Sequence, residues 1–383
     1  MPSILLVTND FGPRAGGIET FIIGLLERMP RGEVIVYTSK QVGSESFDKK
    51  WLENFGVEVI RDSSKILLPT PGVIRAVRRV IKHSNIEKIW FGAAAPLAIS
   101  ARFLRVGNVK KIVALSHGHE VWWSKVFPFN FAMKEISRSV DVLTFLGDYT
   151  GSVIGKHSKN KAKLVKIAPG IDISHFKPER DPSKVNAVRS ELKIGSEPLI
   201  LSVGRLVHRK GQDKLITAMP KILAKRPDAK LLFIGQGPRK AKLDSLVAKY
   251  GIEDSVIFLG SIAYTDLPKY LNAADLFVMP SRSRLMGLEV EGLGIVYLEA
   301  SACALPVIAG SSGGAPDALL DGKTGYVVDG MDIDQIANRV LSLIDNPKAA
   351  REMGEAGRAW VEGNWSWDIW SSAFNELLEI SGK

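Results

Sequence analysis

The sequence predicts an α/β protein made of two open parallel sheets, each covered by helices on both faces. Three observations lead there. Short β-rich runs alternate with helical stretches of about 10 to 16 residues along nearly all of the 383-residue chain. The runs Leu5-Leu6-Val7 and Leu231-Leu232-Phe233-Ile234 are apolar at every position, as strands buried on both faces are. Between residues 169 and 198 the alternation stops, in a charged stretch carrying Pro169-Gly170, Pro178 and Pro182.

In chain order, the first half reads as strands at 4–8, 33–38, 57–60, 88–91, 111–116, 140–145 and 164–168. The second reads as strands at 199–204, 230–235, 256–260, 276–279, 306–309 and 325–328. The expected domains are 1–169 and 170–364, with a last helical stretch, 365–383, packing back on the first. Two Rossmann-like domains of this kind are expected to face each other across a cleft, because ligands bind at the carboxyl ends of such strands.

Hydrophobic residues form 45% of the chain, which excludes a disordered protein or a disulfide scaffold. The single cysteine, Cys303, cannot pair internally and lies in an apolar stretch, so it reads as core in a reducing compartment. No secretory signal is visible, and no apolar run approaches the roughly 20 residues that span a bilayer. A soluble, cytoplasmic protein is expected. The net charge is +10, and residues 61–111 hold eleven Lys and Arg against Asp62 and Glu87 alone. Nucleic acid, an anionic membrane or an acidic substrate would each suit that excess. The apolar strands leave no room for aromatics interleaved on a basic sheet, which argues against nucleic acid.

Four segments carry chemistry. After the first strand, Gly16-Gly17 opens a helix, where close backbone approach and free N–H groups suit an anion, although a tight turn has the same pattern. Gly204-Arg205-Leu206-Val207-His208-Arg209-Lys210-Gly211 follows the second half's first strand; Arg205 and Lys210 suit a pyrophosphate, and a solvated basic loop is the alternative. Glu291 and Glu299 bracket Gly292-Leu293-Gly294-Ile295. Eight helical residues span about 12 Å, so two helical carboxylates could not hold one group. With a helix starting near Gly294, Glu291 lies in the loop before it and can face a sugar, the N–H groups of residues 292–295 can face a phosphate, and Glu299 can face ribose; two surface glutamates flanking a glycine turn are the alternative. A carboxylate buried among Leu298 and Ala300 needs a partner. Finally, Ser116-His117-Gly118-His119-Glu120 ends a strand, and His117 there can donate to a sugar hydroxyl. Zinc is disfavoured, since no further Cys or His cluster supplies a third and fourth ligand. Asp332-Ile333-Asp334 precedes a helical pattern and reads as an N-cap. Gly322-Lys323-Thr324 ends like a phosphate loop, but Asp317 stands where its leading glycine belongs.

In this order the four segments resemble the GT-B glycosyltransferases of family four, over nearly the whole chain. Ile18-Glu19, the run from Ser116 to Trp123, and Gly292-Leu293-Gly294-Ile295-Val296 look most similar to the actinobacterial phosphatidylinositol mannosyltransferases. The resemblance implies a GDP-mannose donor, retention of the α configuration, and no metal or other cofactor. It implies a phosphatidylinositol mannoside acceptor that receives its second mannose at the inner membrane face. Arg205 and Lys210 would hold the pyrophosphate with Gly16 and Gly17, Glu291 the mannose, Glu299 the ribose, and Ile262 the base through its backbone. His117 would meet the mannose near its reacting face.

The basic first half then has a use. In the stretch 73–82, Val73, Val77, Val80 and Ile81 share one face, while Arg75, Arg78, Arg79 and Lys82 lie largely on another. Such a helix can lie on anionic lipid, bind an acceptor phosphate, or simply pack on the sheet. Trp122 and Trp123 can meet an acceptor's inositol, the membrane interface or the core. Two rival functions stay open: a UDP-sugar transferase with a soluble acceptor, and an NAD-dependent oxidoreductase. The latter wants an acidic residue after the second strand, where Ser39-Lys40 stands.

Overall fold

A computed structural model describes residues 2–14, 16–158 and 161–380. Ala15 of the glycine loop and residues 381–383 of the C-terminal stretch lie outside the described residues. The chain forms two compact units, 1–170 with 367–383, and 171–366.

The first unit contains the parallel strands β1 (Ile4–Thr8), β2 (Val34–Ser39), β3 (Glu58–Asp62), β4 (Lys88–Phe91), β5 (Lys111–Ala114), β6 (Val142–Phe145) and β7 (Lys163–Lys166). Their order is β3-β2-β1-β4-β5-β6-β7. Central β1 pairs Leu6 with Val36 on one side and Trp90 on the other, and none of its residues is more than 2% exposed. That burial explains why it carries no alternation. Leu5, Val7, Ile89 and Phe91 join one core cluster, and on the other strand face Trp90 meets Phe374 of the helix Trp367–Leu377 at 4.8 Å. Trp367 of that helix packs near Phe21, under the Arg28 guanidinium. Trp365 instead stays in the second unit, where its carbonyl accepts from the Ile171 N–H at 2.7 Å.

The basic helix spans Pro71–His83, with Thr70 accepting from the Val73 N–H as its N-cap. Val73, Val77 and Ile81 are buried in the sheet core, and Val80 packs against it. Exposing the three buried side chains would forfeit about 5–9 kcal/mol, comparable to the stability of a whole domain. This corrects the expectation that the apolar face can rest on lipid: the sheet already occupies it. Arg75, Arg78, Arg79 and Lys82 remain exposed. Trp122 and Trp123 are half-buried around Phe129, at 4.6 and 4.9 Å, and Trp123 packs on the core. Among the described residues, no helix is long and apolar enough to cross a membrane.

The second unit contains β8 (Leu199–Val203), β9 (Lys230–Ile234), β10 (Val256–Gly260), β11 (Leu276–Met279), β12 (Val307–Gly310) and β13 (Gly325–Val328). They form one parallel sheet in the order β10-β9-β8-β11-β12-β13. Ile200, Leu231, Phe233, Val278 and Ile308 build its core with Leu215 and Ile216 of helix Gln212–Leu223 and Ile336 and Val340 of helix Ile333–Ile344. Asp332 caps the latter, accepting from the Gln335 N–H at 2.9 Å. In each unit the order reverses beside the first strand, between β1 and β4 and between β8 and β11. Crevices form at such switch points in open sheets.

Candidate active site

In the second unit the switch point is flanked by the loops after β8 and β11. The first, Gly204 to Gly211, ends where Gly211 adopts φ +77°; a Cβ there would stand 1.9 Å from the Pro280 carbonyl, so only glycine lets the two loops meet. The second loop runs to Gly294, whose φ of +81° caps helix Ile295–Ala302. A Cβ at Gly294 would strike the Tyr297 ring at 2.4 Å. Tyr297 is buried and donates to the Met279 carbonyl at 2.7 Å, which ties the new helix to the end of β11.

That start places Glu291 outside the helix and Glu299 within it, as the spacing argument requires. Glu291 is held by its backbone: its N–H donates to Ser312 Oγ at 3.2 Å and its carbonyl accepts from the Gly314 N–H at 2.9 Å. Its buried carboxylate meets Lys210 Nζ at 2.8 Å and Arg209 Nε at 3.8 Å. Burial would raise the carboxyl, but Lys210 and then Arg209 overcome it and hold Glu291 below the usual carboxylate range. Lys210 is itself 9% exposed, so this is a desolvated pair of opposite charges at the mouth of the switch point. Arg205 is exposed at the end of β8. Gly292 and Ile295 are half-buried and Leu293 buried, around the helix N-terminus, whose first N–H groups have no partner within a helix.

Glu299 stands apart from the Lys210–Glu291 pair in its partners. Its Oε1 accepts from the Tyr264 hydroxyl at 2.8 Å, and burial pushes its carboxyl up to about 7 against that bond. Ile262 is half-buried in the turn after β10, two residues before Tyr264. A further network escaped the sequence reading. Buried Arg282 donates from Nη2 to Asp213 Oδ2 at 2.8 Å and to His208 Nδ1 at 2.7 Å, while its N–H reaches the Arg209 carbonyl at 2.8 Å. It braces the basic loop from behind. Nothing local marks it, because Asp213 and Arg282 are 69 positions apart.

In the first unit, Gly16 caps helix Gly17–Leu26 in an extended conformation. The Arg14 guanidinium beside it contacts Glu19 at 2.5 Å and Asp10 at 3.0 Å, so its charge is met by two carboxylates and the loop has no excess cation to offer an anion. Phe21 of that helix meets the His117 ring edge-on at 5.6 Å. His117 Nε2 lies 2.5 Å from the Gly92 carbonyl, which can only accept, so Nε2 holds the ring proton. Burial lowers the imidazole pKa below its ordinary value. The neutral ring therefore offers Nδ1 as an acceptor, which corrects the expectation that His117 donates to a sugar. Its backbone N–H donates to Glu120 Oε2 at 2.9 Å, and His119 Nε2 meets Glu120 Oε1 at 3.2 Å. Among the described residues, no group of three or more His, Cys, Asp or Glu side chains could hold a metal ion.

The profile described as "Glycosyl transferases group 1" matches residues 184–360, which contain the second unit's sheet and both glutamates. A Mycolicibacterium smegmatis protein named GDP-mannose-dependent alpha-(1-6)-phosphatidylinositol monomannoside mannosyltransferase is 42% identical over 376 residues, 98% of each chain. A Corynebacterium glutamicum protein named as the monoacylated-acceptor counterpart is 41% identical over 98% of this chain and 97% of its own. Among solved structures, Anabaena HepE in complex with UDP superimposes with a TM-score of 0.82 at 19% identity, covering 99% of this chain and 100% of that one. Sucrose-phosphate synthase from Thermosynechococcus elongatus gives 0.80 at 23% identity, over 99% and 98%. At those identities the structures show the shared fold.

Proposed function

The chain belongs to the group 1 glycosyl transferases, and we propose that it moves mannose from GDP-mannose to a phosphatidylinositol monomannoside as the second mannose, with retention of configuration. The observation that supports this reading is the near-full-length similarity to relatives named as GDP-mannose-dependent phosphatidylinositol monomannoside mannosyltransferases.

The chemistry follows from the charges. Breaking the donor's glycosidic bond leaves negative charge on GDP and positive charge on the sugar ring. We assign Arg205, Lys210 and the helix N-terminus at Gly294 to the departing pyrophosphate. Lys210, paired with Glu291, would then be shared with phosphate, and Glu291 would accept from the mannose hydroxyls. Ile262 offers its backbone to the base and Glu299 its carboxylate to the ribose. The acceptor hydroxyl attacks from the face the phosphate leaves, and that phosphate takes its proton. His117, an acceptor at Nδ1, orients a mannose hydroxyl near the reacting carbon. No metal enters this scheme, because the fixed cations and helix dipole supply the countercharge.

The exposed Arg75, Arg78, Arg79 and Lys82 suit the phosphate of a phosphoinositide or the anionic inner face of a membrane, with Trp122 and Trp123 as the aromatic contacts of the same acceptor. The test is calorimetric titration of metal-free protein with GDP, UDP and NAD at one salt concentration, followed by turnover in EDTA with nuclear magnetic resonance of the product's anomeric proton. GDP binding alone and an α product support the reading. Preference for UDP, a β product or loss of turnover in EDTA each removes the corresponding part of it.

A further inference from the structure

Tyr264 begins the short helical turn Tyr264–Asp266 that follows β10. It is 53% exposed, yet its hydroxyl reaches a buried carboxylate, Glu299 Oε1, at 2.8 Å. The ring that delivers the hydroxyl is clamped. Phe176, fully buried, meets it edge-on at 5.4 Å, and His175 stacks obliquely at 5.9 Å. Phe176 is fixed in turn, since Arg358 donates to its carbonyl at 2.5 Å and to the Ala302 carbonyl, at the end of Glu299's own helix, at 2.7 Å. An exposed phenol held this firmly against a buried carboxylate is not explained by core packing.

A carboxylate has about four lone-pair directions on its two oxygens. One donor at Oε1 fixes the rotation of the group and leaves directions on both oxygens for two more donors. Two vicinal hydroxyls, as on a ribose, match that remainder. We propose that Tyr264 is a positioning residue of the ribose subsite, which orients Glu299 toward both ribose hydroxyls and thereby makes donor binding selective for ribonucleotides over deoxyribonucleotides. The inference rests on the assignment of Glu299 to the ribose. Sites built to bond a hydroxyl discriminate strongly against an analogue that lacks it, provided the protein partner is held in place.

The test is titration of wild type, Tyr264→Phe and Glu299→Gln with GDP, 2′-deoxy-GDP and 3′-deoxy-GDP between pH 6 and 8. Phenylalanine keeps the ring against Phe176 and His175 but removes the donor from a buried carboxylate, so a retained fold with a modestly lowered thermal midpoint is expected, least at pH 6 where the carboxyl is mostly protonated. Wild type is expected to prefer GDP over both deoxy analogues. In Tyr264→Phe the GDP affinity falls about tenfold, the preference over the deoxy analogues shrinks, and KM for GDP-mannose rises while kcat changes by less than about twofold. The pH at which affinity rises moves upward as well, because the bond that favours the ionised carboxylate is gone. A variant with wild-type discrimination and pH profile overturns the proposal. Glu299→Gln separates the two levels. If it abolishes discrimination while Tyr264→Phe does not, only the tyrosine's role is refuted. If it too discriminates like wild type, Glu299 does not read the ribose, and both fall.

Discussion

Replacing Lys210 with methionine isolates the charge pair on which the assigned donor site depends. Both side chains are buried and 2.8 Å apart. Removing one partner of such a pair costs about 3–5 kcal/mol, because the other charge is left in a poorly solvating interior. Arg209, 3.8 Å from the same oxygen, partly replaces the lysine, so the lower end applies. For a unit of this size, about 3 kcal/mol corresponds to a fall in Tm of about 6–12 °C. Calorimetry of the wild type, Lys210→Met, Glu291→Gln and the double variant measures it, and the double variant is expected to regain most of the loss.

The pH dependence supplies a second check. The Glu291 carboxyl is depressed in the folded protein, so its contribution is complete above the unfolded value near 4.5 and is lost as pH falls through the folded value. In Lys210→Met burial dominates and raises the carboxyl instead, so the variant takes up a proton before the wild type does. The Tm gap is therefore largest near pH 7.5 and narrows toward pH 4.5. A gap under about 1 °C, a gap independent of pH, or a double variant no better than the single one would refute the reasoning.

Two further outcomes follow from the site. Burial pushes the Glu299 carboxyl up to about 7, and the proposed assignment of Glu299 to the ribose requires its ionised form, so donor binding is expected to expel a proton. Donor affinity is expected to drop toward tenfold per pH unit below 7 and to level above 8, while Glu299→Gln makes the profile flat; a flat wild-type profile removes Glu299 from the donor contacts. Changing Arg75, Arg78, Arg79 and Lys82 together to glutamine removes about 1 kcal/mol of attraction each. Binding to vesicles containing phosphatidylinositol is expected to weaken by about a thousandfold with Tm unchanged, since all four are exposed. Unaltered sedimentation with the vesicles would clear this helix of a membrane role.

The alternation of apolar strands and helices determined the architecture because a parallel strand buried on both faces must be apolar throughout, as Leu5-Leu6-Val7 is. Where strands end was less legible: β5 stops at Ala114 and β6 begins at Val142, each two residues short of the expected run, because Leu115 and Val140 are buried like strand residues although they lie outside the strands. The glycine at 294 was legible as a helix start, and with it the separation of Glu291 from Glu299, because a local backbone requirement leaves a local mark. Partners brought from elsewhere in the chain left none. Only the tertiary structure joined Lys210 to Glu291, Tyr264 to Glu299, and Arg282 to Asp213 and His208. It also decided that the apolar side of helix Pro71–His83 faces the sheet, a choice that composition leaves open because a sheet and a lipid surface offer an apolar stripe the same driving force. It reversed the hydrogen-bonding sense of His117 too, since the proton on its ring is fixed by a carbonyl 25 positions away.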